Sequence, residues 1–76
     1  MRSKPKPRFR YGEKVRIVMY IPGGLLPDEV GGVMEIVPAV YSRALRGYTT
    51  PRYKVGDWPG YIRRAWYDED NLESVE

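Results

Sequence analysis

The sequence predicts an all-β fold, a small barrel of five short strands. Two features lead there. Short runs of β-branched and aromatic residues recur along the chain, several with alternating apolar and polar positions. The connections between them are rich in glycine and proline, which break helices and central strands: eight and seven in 76 residues. That combination of short strands and punctuated turns is the pattern of a sandwich or barrel.

The elements follow in order. Residues 1–8, Met-Arg-Ser-Lys-Pro-Lys-Pro-Arg, are expected to form a flexible basic arm, disordered or folding on binding. Gly12 marks a tight turn. After it Val15, Ile17 and Met19 alternate with Lys14, Arg16 and Val18, a half-buried first strand. Ile21 to Gly31 holds two prolines and three glycines and is read as a long loop, pinned to the core by Leu25, Leu26 and Val30. Gly32–Val37 is the second strand. Val33 and Ile36 lie three apart, so a β-bulge near Met34 or Glu35 is needed to put both inside. Pro38 to Pro51 is read as a hairpin tip, with one helical turn at Ser42–Gly47 as the alternative.

Arg52–Val55 is the third strand, with Tyr53 and Val55 inward. Gly56, Pro59 and Gly60 make a turn around Trp58. Tyr61–Tyr67 is the fourth strand. Its alternation puts Ile62, Arg64 and Trp66 on one face and Tyr61, Arg63, Ala65 and Tyr67 on the other, and the second set is expected to be exposed. Asp68–Asn71 reads as one turn of 3₁₀ or α-helix, its acids suited to free N–H groups. Leu72 and Val75 then return the chain to the core as a short fifth strand.

Composition narrows the function classes. A 76-residue chain has room for one modest core, and seven tyrosines and two tryptophans supply large buried areas. There is no cysteine and no histidine. Disulfides, thiolate metal sites and the commonest general base are therefore excluded on residue type. We expect no enzyme, no cofactor, no metal and no small-molecule substrate. The best apolar run, Val15–Ile21, is of strand length and contains Arg16, so no membrane partner is expected, and the protein is placed in the cytoplasm. The net charge of +3 is unevenly spread. The first ten residues are basic without an acid, the last nine acidic without a base, and Arg43, Arg46, Arg52 and Lys54 make a second basic stretch.

A family resemblance rests on particular residues. They are Phe9 with Gly12-Glu-Lys-Val-Arg-Ile17, Gly31-Gly32-Val33 with Ile36, Tyr53 with Val55, and the ending Tyr67, Glu69, Asn71-Leu72-Glu73. Together they resemble SH3-like barrels of the translation-protein and electron-transport type. Pro22, Gly23, Leu26, Pro27, Gly32, Val33, Tyr53, Val55, Trp58, Asp70, Leu72 and Glu73 are similar to the C-terminal barrel of nitrile hydratase β subunits. A ribosomal large-subunit barrel and the variable chain of ferredoxin–thioredoxin reductase share the outline. The resemblance covers residues 9–76 and implies an SH3-like fold. It transfers no catalytic residue, because the hydratase metal belongs to the other subunit. A phage or prophage product would fit the same outline.

Two surfaces are candidates for binding. Trp58, Tyr61, Arg63 and Tyr67 have the aromatic and arginine content of protein interfaces, and a protein partner is the expected one. Arg8, Arg10, Arg43, Arg46, Tyr48 and Arg52 interleave cations with rings, the composition of a nucleic-acid surface, which is the alternative. The cluster Asp68, Glu69, Asp70 reads as a solvated turn rather than a Mg²⁺ site, since no further acid nearby completes a ligand shell.

Overall fold

The computed structural model describes residues 4–75. Among them the strands are β1 (Lys14–Ile17), β2 (Val30–Val37), β3 (Tyr41–Ser42), β4 (Gly47–Tyr48), β5 (Arg52–Asp57) and β6 (Arg64–Asp68). A 3₁₀ turn over Glu69–Asn71 leads into β7 (Leu72–Ser74). Five strands form one antiparallel sheet in the order β6-β5-β2-β1-β7, and β3 pairs only with β4 as a separate hairpin. This is the small all-β, five-stranded arrangement the sequence predicts. No α-helix occurs among the described residues, and no helix is long and apolar enough to cross a membrane.

The inward faces of the strands make one core. Val15 and Ile17 of β1, Val33 of β2, Tyr53 and Val55 of β5, Tyr67 of β6 and Leu72 of β7 are buried together with Phe9 and Leu25. The register of β2 on β5 shifts between Val33 and Glu35, so Met34 is the extra residue of a bulge. The bulge lets Val33 and Ile36 both turn toward the core, as their spacing requires.

Two buried tyrosines tie the non-strand segments to this core. Tyr53 Oη donates to Glu69 Oε2 at 2.7 Å and accepts the Arg8 N–H at 2.9 Å, which fastens the segment before β1 and the 3₁₀ turn to β5. Phe9 follows edge-on against the Tyr53 ring at 5.3 Å. Tyr67 Oη accepts the Leu25 N–H at 2.8 Å and holds the 18–29 loop. Burial raises both phenols above their ordinary range. Tyr53 is pushed up to about 12, first by burial and then by its bond to Glu69.

Several expectations need correction. The fourth strand begins at Arg64 rather than Tyr61, and its faces are reversed: Tyr67 is buried, while Ile62 is 83% exposed. The cause is cross-strand register. Tyr53 pairs with Tyr67 and Val55 with Ala65, so those four side chains share the core face. Tyr67 is therefore no surface residue. Met19 is exposed because β1 ends at Ile17. Of the three expected loop pins, Leu25 is buried, Leu26 is exposed, and Val30 opens β2, half-buried. Of the expected arm, Met1–Ser3 lie outside the described residues, and Lys4–Pro7 are exposed and without regular structure.

Candidate functional site

The outward side of the five-stranded sheet begins with glycine. In register across four strands lie Lys14, Gly32, Gly56 and Arg64. At ordinary strand spacing this row is about 14 Å long. Its centre carries no side chain of its own, and the Tyr61 ring fills the gap. A β-carbon at Gly32 would lie 2.6 Å from Tyr61 Oη, and one at Gly56 would lie 2.7 Å from Tyr61 Cδ1 and 2.8 Å from Met34 Sδ. Tyr61 thus lies flat on a floor that only glycine leaves open.

The turn between β5 and β6 delivers Tyr61 to that floor. Asp57 and Arg63 close it: the Asp57 N–H donates to Arg63 O at 2.9 Å, and the Arg63 N–H donates to Asp57 Oδ1 at 2.8 Å. That backbone donor is the first cause that holds the Asp57 carboxyl below the usual carboxylate range. The Tyr61 N–H donates to Asp57 O, and Tyr61 itself sits at φ +56°, in the left-handed region that disfavours a side chain. Backbone held in that region clusters at functional sites.

Trp58 stands beside Tyr61 on the same turn. Its ring meets the Tyr61 ring edge-on at 5.9 Å, and Lys14 Nζ lies 4.6 Å from its centroid. Trp58 is still 47% exposed. Among the described residues neither Lys14 nor Arg64 has a carboxylate partner. The result is an aromatic platform between two cations. A shallow hollow of about 500 Å³ beside the start of β1 and the end of β7 shares Lys14 with this face but holds none of its rings.

The sequence-predicted residues distribute as follows. The structure brings Trp58 and Tyr61 together. Arg63 belongs to the same turn but is committed to Glu29 (2.8 Å) and Asp57 (3.5 Å), so it fastens the turn to the 18–29 loop. Tyr67 drops out as a core residue. Of the basic set, Arg10 lines the hollow beside Lys14, and the Arg8 backbone is bonded to Tyr53 and Glu69. Arg43, Arg46 and Tyr48 belong to the hairpin, while Arg52 stands at its base. The sequence does not single out Lys14 or Arg64: Lys14 reads as the ordinary solvated face of the first strand, and the expected facing of the fourth strand turns Arg64 inward.

No protein-family model matches the chain, and no curated protein or solved structure matches it.

Proposed function

We propose that the protein is a non-catalytic binding module, and that the platform of Trp58 and Tyr61 is where a protein partner docks. The observation that carries this is a half-exposed tryptophan held in place by three neighbours: Tyr61, Lys14 and the glycine floor under Tyr61. Ordering the ring in advance lowers the entropic cost of covering it. About 100 Å² of Trp58 is left to cover, worth roughly 2 kcal/mol on burial. That is the magnitude of an interface hot spot, and tryptophan is among the residues most enriched there. Lys14 and Arg64 at the rim favour a partner whose apolar anchor is flanked by carboxylates. They steer approach more than they hold it, so binding should depend weakly on salt.

The test is capture from the source cell after nuclease treatment, with the wild-type chain and Trp58→Ala side by side. A protein retained in stoichiometric amount by the wild type and lost by the variant supports the module. Capture that needs nucleic acid, or that Trp58→Ala leaves unchanged, counts against it.

A further inference from the structure

A second surface, independent of Trp58, carries a different ligand chemistry. Between Glu35 and Asp57 the chain has no carboxylate side chain at all, yet it holds Arg43, Arg46, Arg52 and Lys54. The structure gives this stretch a shape. Residues 38–51 leave the sheet as the β3–β4 hairpin, whose strands pair Tyr41 with Tyr48 and Ser42 with Gly47. The two tyrosine rings meet edge-on at 5.7 Å and both are exposed, as is Leu45 at the tip. The edge-on pair of Phe9 and Tyr53, by contrast, lines the core. The hairpin rings stand in water on the two strands that flank the tip carrying Arg43 and Arg46, neither of which has a carboxylate partner among the described residues.

The base of the hairpin continues the same chemistry. The Arg52 guanidinium lies 5.9 Å from the Trp66 ring on the outward face of β5 and β6. Lys54 pairs with Trp66 in the register. Their carboxylates are loose and exposed: Asp68 is 3.6 Å from Arg52, and Glu35 is 3.8 Å from Lys54. Such pairs exchange readily for a phosphate, because exposed ion pairs contribute little. Tyr48 is four residues from Arg52, at most about 14 Å of chain. Cations and rings therefore follow one another along the chain from the hairpin tip to the sheet.

We propose that the β3–β4 hairpin and the Arg52–Trp66 surface at its base bind single-stranded nucleic acid. The four cations meet phosphates, and Tyr41, Tyr48 and Trp66 offer ring faces to unpaired bases. A duplex hides those base faces in its stack, so the single strand is the form that uses both halves of the surface.

The full chain is titrated into labelled mixed-sequence RNA and DNA strands of about 12 nucleotides, and into the matching duplex, with fluorescence anisotropy as the readout. If four phosphates are neutralised, affinity for the single strand falls roughly fiftyfold between about 50 and 200 mM salt, a log–log slope near −3. Arg43→Gln with Arg46→Gln removes about half of that slope. Tyr48→Ala weakens binding about tenfold without changing the slope. Trp58→Ala leaves nucleic-acid binding unchanged, which separates this surface from the protein-docking platform. Unfolding midpoints of all variants separate a lost surface from a lost fold. The proposal is overturned by no anisotropy change at the low salt, by duplex binding as tight as single-strand binding, or by an unchanged slope in the double glutamine variant. The last outcome would move the contact to the basic residues before β1.

Discussion

Removing one oxygen from the core tests how the barrel holds the chain ahead of β1. In Tyr53→Phe the ring and its contact with Phe9 stay, but the hydroxyl is gone. With it go a bond to the Glu69 carboxylate at 2.7 Å, one from the Arg8 N–H at 2.9 Å and a longer one from the Phe9 N–H at 3.4 Å. The Arg8 N–H keeps Glu69 Oε2 at 3.1 Å, so it is not left bare. A bond to a carboxylate nets about 1.5–3 kcal/mol and a neutral one about 1, which places the loss near 3 kcal/mol at neutral pH. That is a large fraction of the roughly 4–11 kcal/mol expected for a domain this size.

The loss should also depend on pH in one direction. The Tyr53 phenol stands at about 12 in the folded chain against 10.0 when unfolded. A raised value means that the folded state keeps its proton longer. The stabilisation is complete below the unfolded value and fades, by about 1.4 kcal/mol per pH unit, as pH climbs toward the folded one. Tyr67 loses stability in the same direction, but it is common to both proteins and cancels in the difference. Urea unfolding followed by tryptophan fluorescence, from about pH 7 to about pH 11.5, reads that difference. It should shrink from about 3 to near 1 kcal/mol over this range. A difference under about 0.5 kcal/mol at pH 7, or one that does not change with pH, would refute the assignment of the hydroxyl.

Other outcomes follow from the outward face. Gly56→Ala forces a β-carbon into Tyr61 and Met34 and should cost about 1–3 kcal/mol in thermal unfolding, while also displacing Tyr61 and weakening partner binding. Trp58→Ala should change stability by less than about 1 kcal/mol, because half the ring is already in water; a larger drop in melting temperature would mean that the residue is structural. Arg63→Ala frees the 57–63 turn from Glu29, and limited proteolysis should then cut between Trp58 and Ile62 faster than in the wild type. Asp57 carries a lowered carboxyl pKa, so its support of the turn is present above the unfolded value of 3.8 and fades as pH falls further; in Asp57→Asn this acid-side change in amide exchange of the turn should vanish.

Much of the fold was legible because it is written locally. The interval between Val33 and Ile36 demanded a bulge, and the register shifts where the spacing required. The run from Asp68 to Leu72 showed its 3₁₀ turn through acids followed by a returning leucine. The facing of β6 was not legible in β6 alone. Alternation separates Ala65 and Tyr67 from Arg64 and Trp66, but it does not say which pair is inside. The answer lies in β5, where Tyr53 and Val55 are the partners of Tyr67 and Ala65. Placing the charged Arg64 on the core face was the available warning. The site shows the same division. Trp58 and Tyr61 stand three residues apart and could be grouped by eye. Lys14 comes from β1, more than forty residues away, and joins Trp58 only through the register of non-neighbouring strands. Gly32 read only as the first residue of a strand, because the ring that needs its missing side chain arrives from Tyr61.

The most direct measurement of the central claim is an amide shift map of the ¹⁵N-labelled chain, titrated with the protein that it retains after nuclease treatment. The platform predicts the largest changes at Lys14, Gly32, Gly56, Trp58 and Gly60, with the Trp58 indole N–H among them. Changes confined to the β3–β4 hairpin or to the β7 edge, with the Trp58 indole unmoved, would contradict it.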